Sequence, residues 1–164
     1  MNRKLKLVKS LVQELPGPKS YCNCERLCSP ITIDHVVPKK ILKQGMNFRE
    51  SSVDPHNLYA CCQKLNQEKA SLVFGNHFML NNDVSEHTGA LARSSLYVYD
   101  RYRVPFDGKI RALWRQLHSI HEPKQFEYDR DDIIFEYTGT RNHYLNDYQF
   151  LDYDESEYEK KFWD

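Results

Sequence analysis

Ile31-Thr32-Ile33-Asp34-His35-Val36-Val37-Pro38, followed by Asp54-Pro55-His56-Asn57-Leu58 and a polar stretch to Asn66, is the part of the chain whose reading decides the fold. The β-branched run Ile31-Thr32-Ile33 predicts a short strand. Pro38 limits its continuation, because proline has no N–H to give to a ladder. Residues 57–60 are expected to return as a second strand, and residues 62–73 to follow as a helix. Residues 39–53 between them read as a basic, mostly polar loop. Strand, loop, strand and helix in that order make a compact α+β unit over residues 31–73.

Working outward, 164 residues fit a single domain, residues 1–164. A chain of that size buries roughly 70% of the surface it exposes when unfolded. An apolar fraction of 40% with 13% aromatics argues for a folded chain. No apolar run approaches the roughly 20 residues of a membrane helix, so no membrane partner is expected. Residues 1–15 read as a basic amphipathic helix with Leu5, Val8 and Val12 facing inward. They lack the small-residue cleavage site of a secretory signal. An intracellular location is the expectation, and a secreted one if a signal has been removed. Pro16-Gly17-Pro18 breaks the chain, and residues 22–28 read as a tight knuckle. Residues 94–103 and 110–119 are helical candidates within a supporting region, residues 90–146. Ala90, Leu91, Leu96, Tyr97 and Val98 are its expected core contacts. Residues 131–138 read equally well as helix or strand.

Net charge is zero, but its distribution is uneven. Residues 1–49 hold ten Lys/Arg against three acids, while residues 122–164 hold five against thirteen. The basic half contains Asp34-His35, where a polyanion would dock. The competing reading is two solvated faces of opposite sign. The acidic, Tyr-rich tail at 147–164 could cover the basic groove or extend away from it.

The residue types at these positions have a joint chemistry. A histidine ending a strand can serve as a base, since its ordinary pKa near 6.5 leaves much of it neutral at working pH. Asp34 and an amide oxygen from Asn66 are hard donors that suit Mg²⁺, which takes few protein ligands and fills the rest with water and phosphate. One carboxylate and one amide leave the cation positive charge for a phosphate. Together they are the equipment for hydrolysing a phosphodiester. Taken singly, His35 could equally be a polar group closing a strand, and Asn66 a helix-surface amide. His56 reads as a brace for the turn before Asn57. Arg93 and Arg141 could bridge helices or touch phosphate.

At these residues the chain resembles the HNH, or ββα-metal, nucleases, and most closely their non-specific endonuclease I branch. That branch carries Glu-His-Val-Val-Pro, then Asp-x-His-Asn-Leu, then an Asn on the next helix. The corresponding stretches here are Asp34-His35-Val36-Val37-Pro38, Asp54-Pro55-His56-Asn57-Leu58 and Lys64-Leu65-Asn66. Ala92-Arg93-Ser94-Ser95-Leu96-Tyr97-Val98-Tyr99 is similar to a later helix of the branch. The segment from Trp114 to Gly139-Thr140-Arg141-Asn142 resembles its next portion. The resemblance implies a ββα-metal core with surrounding helices, His35 as general base, Asp34 and Asn66 as metal ligands, and Asn57 holding the histidine segment. Asp replaces the branch's Glu at position 34. The shorter loop leaves no aligned transition-state arginine, and Arg49 is the candidate for that role. Lys69 stands where the branch has Arg, so its phosphate contact would be a point charge without a fork.

Cys22, Cys24 and Cys28 precede the first strand, and Cys61 and Cys62 follow the second. Many HNH proteins pin this region with zinc through two Cys-x-x-Cys knuckles. The spacing here departs from that pattern, but Cys22, Cys24, Cys28 and Cys62 would still make a Cys₄ site; buried thiols or disulfides are the alternatives. The overall expectation is an Mg²⁺-dependent endonuclease, largely indifferent to sequence, acting on DNA or else RNA and, as the resemblance implies, leaving a 5′-phosphate and a 3′-hydroxyl. Lys39, Lys40, Lys43, Arg49 and Lys69 would meet the backbone phosphates. A sequence- or structure-specific HNH nuclease and a catalytically silent, zinc-pinned nucleic-acid-binding module are the competing expectations.

Overall fold

The computed structural model describes residues 3–17, 30–75 and 85–146. It is a mixed α/β structure in which one antiparallel hairpin is surrounded by helices. Strand β1 (Ile31–His35) pairs with β2 (Leu58–Cys62), with Ile31 opposite Cys62 and His35 opposite Leu58. The Val36 amide donates to the Asn57 carbonyl at 2.9 Å, extending the ladder one step past β1. Helix α4 (Gln63–Lys69) follows β2 directly and packs on both strands.

Alternation along β1 sends Thr32 and Asp34 to one face and Ile33 and His35 to the other. Asn66 and Lys69 of α4 bond to Thr32 and Asp34, so α4 covers the first face. Helix α1 (Arg3–Glu14) covers the second, where Val8, Val12 and Leu15 meet Ile33, Leu58 and Ile134. Val8 and Val12 are buried, as their four-residue spacing predicts; the side chain of Leu5 lies outside the described residues. Each such buried side chain contributes about 1.5–3 kcal/mol relative to exposure.

The span 39–53, expected as a loop, instead forms two single-turn helices, α2 (Lys39–Leu42) and α3 (Phe48–Ser51). Pro38, with φ near −60°, starts α2, and its carbonyl accepts from the Leu42 amide. Leu42 then sinks into a cluster with Val37, Tyr97, Val98 and Tyr102, which anchors the connection. Gly45 permits a close approach there: a Cβ would lie 2.6 Å from the Tyr102 carbonyl oxygen. A one-turn 3₁₀ helix, Pro55–Asn57, leads into β2.

The remaining core is built on α5 (Ser85–Tyr102), packed along α6 (Gly108–Ile120). Leu91, Ala92 and Leu96 meet Val36, Tyr59, Cys61 and Trp114. The Trp114 indole donates to the Phe74 carbonyl at 2.8 Å. Residues 125–138 form a helix, α7 (Gln125–Thr138), which settles the ambiguity of 131–138, and α8 (His143–Asn146) follows. Among the described residues no helix is long and apolar enough to cross a membrane.

Candidate functional site

The end of β1 carries Asp34 and His35 on opposite faces, with Asn57 bonded to the chain just beyond it and Asn66 bonded from α4 at Thr32 and Ile33. His35 is half-buried, and its Nε2 lies 3.0 Å from the Ser52 carbonyl oxygen at the end of α3. A carbonyl can only accept, so Nε2 carries the hydrogen and a neutral ring presents its lone pair at Nδ1. Burial pushes the His35 pKa down from 6.5 to about 4; the Ser52 bond opposes this, while Lys39, Lys69 and Lys9 add to it. The ring is therefore neutral at ordinary pH. Lys9, on α1, was not singled out from sequence. It follows buried Val8 and stands exposed on the helix covering the His35 face.

Asn57 fixes the chain beyond His35. Its side-chain oxygen accepts from the Val37 amide at 2.8 Å, and its side-chain nitrogen donates to the Val37 carbonyl at 3.0 Å. Asn57 is fully buried, so neither Val37 group has water as a substitute partner. On the opposite face, the Asn66 amide nitrogen donates to the Thr32 hydroxyl at 2.9 Å and the Ile33 carbonyl at 3.3 Å. Neither bond uses the amide oxygen.

Asp34 is buried, and Lys69 reaches it from α4. Lys69 Nζ lies 3.0 Å from Oδ2 and 3.2 Å from Oδ1, and donates to the His35 carbonyl at 2.7 Å. This corrects the sequence expectation for Lys69: a side chain with no exposed surface meets Asp34 instead of an external phosphate. The charge of a buried ammonium requires such a partner. Asp34 and Asn66 carry hard oxygen donors by type, one carboxylate and one amide, and Asp34 already balances one buried positive charge. Among the described residues no group of three or more His, Cys, Asp or Glu could hold a metal ion.

The basic side chains Lys39, Lys40, Lys43 and Arg49 are exposed along the connection between the strands. Arg49 belongs to α3, whose end also supplies the Ser52 carbonyl. Of the cysteines considered for zinc, Cys22, Cys24 and Cys28 lie outside the described residues, as does the tail 147–164. Cys62 is half-buried at the end of β2, and the Cys61 thiol donates to its carbonyl.

His56 sits within a buried charged relay behind the site. Its Nδ1 lies 2.8 Å from Asp54 and its Nε2 3.3 Å from Asp131, both carboxylate oxygens. Two acceptors require two N–H groups, so the geometry favours the imidazolium. Burial alone pulls the His56 pKa down, but Asp131 and Asp54 outweigh it and the value is raised. Burial alone would raise Asp54, yet His56 and Tyr102 hold its carboxyl below the usual range. Tyr97 and Tyr102 both donate to Asp54 Oδ2, at 3.1 and 2.6 Å. Arg141 and the Asn142 amide, just beyond α7, bind Asp131, whose contact with His56 ties α7 to the turn before β2. Arg93 bridges helices: both its Nε and Nη2 lie 2.7 Å from the Glu127 carboxylate. Arg130 was not anticipated. It donates to the Pro55 and Leu58 carbonyls and lies 4.1 Å over the Tyr59 ring.

No protein-family model matches the chain. A curated protein, Endonuclease-1 of Buchnera aphidicola subsp. Acyrthosiphon pisum (strain APS), is 21% identical over 127 residues, covering 65% of this chain. The chain spans about half the length of that relative, 50%. The similarity at this low identity is to a nuclease.

Proposed function

We propose that the chain is a metal-dependent endonuclease that hydrolyses phosphodiester bonds of nucleic acid, DNA before RNA, with little regard to sequence. β1, β2 and α4 would form a ββα-metal core. The observation that carries the proposal is His35, a neutral imidazole anchored through Nε2 so that Nδ1 is left as a base.

His35 Nδ1 takes the proton from the attacking water. A base works best when its pKa is near the working pH, and about 4 is low for that task. The approaching phosphodiester is negative and shifts His35 upward, opposite in sign to the three lysines. Asn57 holds the segment that carries the base, and the Ser52 carbonyl fixes the ring. Asp34 and Asn66 would hold a divalent cation, Mg²⁺ by donor type. Once bound, that ion supplies positive charge to the scissile phosphate and the leaving oxygen, yielding a 5′-phosphate and a 3′-hydroxyl. Lys39, Lys40 and Lys43 contact the backbone as point charges, and Arg49 is assigned to the transition-state charge. Phosphate contacts carry no base information, which accounts for weak sequence preference.

The test is nicking of supercoiled plasmid by wild type and His35→Ala, each with Mg²⁺ and with EDTA. Wild type is expected to cleave only with metal, and the variant at least 100-fold more slowly, the low end of general-base contributions of about 10²–10⁴. Equal cleavage by the two proteins removes His35 from the mechanism. DNA binding without metal-dependent cleavage would identify a silent binding module instead.

A further inference from the structure

Lys69 lies against both carboxylate oxygens of Asp34. Asn66 and Lys69 are three residues apart on α4, so their side chains leave the same helix face. Both reach β1, Asn66 at Thr32 and Ile33, Lys69 at Asp34 and the His35 carbonyl. The ammonium lies within 3.2 Å of both Asp34 carboxylate oxygens and has no solvent exposure. A buried lysine is a strongly hydrated charge that has been stripped of its water. It therefore stays only where the surrounding oxygens replace that water, and here they are a carboxylate and a backbone carbonyl.

We propose that Lys69 is a resident counter-cation for Asp34, which keeps the site assembled without metal and weakens metal binding by competing for the same carboxylate. The proposal rests on the reading of Asp34 as a metal ligand. An incoming divalent ion meets a neutral Asp34–Lys69 pair where a bare carboxylate would have offered a full negative charge. It must take at least one oxygen from the ammonium, and the amine then moves or keeps only the other oxygen and the His35 carbonyl. Because Lys69 also holds that carbonyl, the exchange is felt at the backbone of the proposed base. Lys69 is thus a positioning residue, acting on substrate through Asp34 and His35. Replacing it with an uncharged side chain of similar shape leaves buried Asp34 without the Lys69 ammonium as a competitor for a metal. Cation affinity rises while metal-free stability falls.

The experiment uses the full chain and Mn²⁺ as the probe. Affinity is read by calorimetry and by the electron paramagnetic resonance of free Mn²⁺, and stability by thermal melting in EDTA and in saturating Mn²⁺. Lys69→Met is expected to bind Mn²⁺ at least tenfold more tightly than wild type. It should also melt lower in EDTA and recover more on adding Mn²⁺ than wild type gains. Equal or weaker affinity in Lys69→Met, with Asp34→Asn binding lost, overturns the competition while leaving the metal site standing. Unchanged binding in Asp34→Asn, or none in wild type, overturns the metal-ligand reading and this inference with it. Should Lys69→Met fail to fold, wild type suffices: the Lys69 side-chain ¹³Cε and ¹Hε resonances should shift with Mg²⁺ and saturate in parallel with binding. Their constancy through saturation overturns the proposal.

Discussion

Replacing Asn57 with alanine tests how the histidine segment is held. The substitution removes two buried hydrogen bonds at once, from the Val37 amide at 2.8 Å and to the Val37 carbonyl at 3.0 Å. Val37 and Asn57 are both fully buried, so water does not take over either group. A buried donor or acceptor left unsatisfied costs about 1–3 kcal/mol. The pair therefore costs about 2–6 kcal/mol, and the alanine site adds a small cavity. For a domain of this size each kcal/mol shifts Tm by about 2–4 °C. A central loss of about 4 kcal/mol lowers Tm by about 8–16 °C. The companion variant Asn57→Asp keeps the acceptor facing the Val37 amide but turns an oxygen toward the Val37 carbonyl. It also buries a charge, and should be no more stable than the alanine variant. Differential scanning calorimetry and urea denaturation supply the numbers, with plasmid nicking well below each variant's melting range as the functional measure. A Tm within 2 °C of wild type for Asn57→Ala, with nicking unaltered, would refute the argument that this side chain holds the His35 segment.

Arg93→Met should be severely destabilising, by about 3–5 kcal/mol, because it leaves the buried Glu127 carboxylate without its fork and the His121 carbonyl without a donor; thermal melting checks this, and a loss under 1 kcal/mol would contradict it. The His56 relay has a pH signature of definite sign. Its pKa is raised on folding, so the stability it contributes is full below about pH 6.5 and declines as pH rises through the folded value. The stability difference between wild type and His56→Gln should accordingly shrink toward alkaline pH, as read from urea midpoints across a pH series. His118 has the opposite sign: burial, then Arg93 and His143, lower its pKa to about 4, so it costs stability as pH falls below about 6.5. His118→Gln should remove part of the acid-side loss, and an unchanged acid limb would show that the ring is not held neutral.

The parts of the site legible in the sequence are those whose side-chain type states its job at short range. Asp34, His35, Asn57 and Asn66 lie in one strand–connection–strand–helix unit: the hairpin sets Asn57 beside the end of β1, and α4 brings Asn66 to Thr32 and Ile33. The groups that were not legible act through backbone or across long separations. The Ser52 carbonyl that sets the His35 tautomer carries no residue signature, since any residue at position 52 offers the same oxygen. Single-turn helices such as α2 and α3 are too short for hydrophobic periodicity, so a polar composition alone read as a loop. Helix α7 hid for a different reason. Ile134 is buried while Ile133, Phe135 and Tyr137 are exposed, which blurs both the helical and the strand period. Lys69 is the most instructive case. One helical turn past Asn66, at the position where the resembling branch has Arg, it read as a phosphate contact, and an exposed lysine is the ordinary outcome. Only the three-dimensional pairing of α4 with β1 reveals the buried carboxylate that reverses that outcome. A charge's partner, more than its residue type, decides whether it faces substrate or organises the groups that do. At Asp34 the same carboxylate serves as partner to a resident ammonium and as the proposed seat of a metal. On that proposal the affinity for a cation would be set as much by Lys69 as by Asp34 and Asn66.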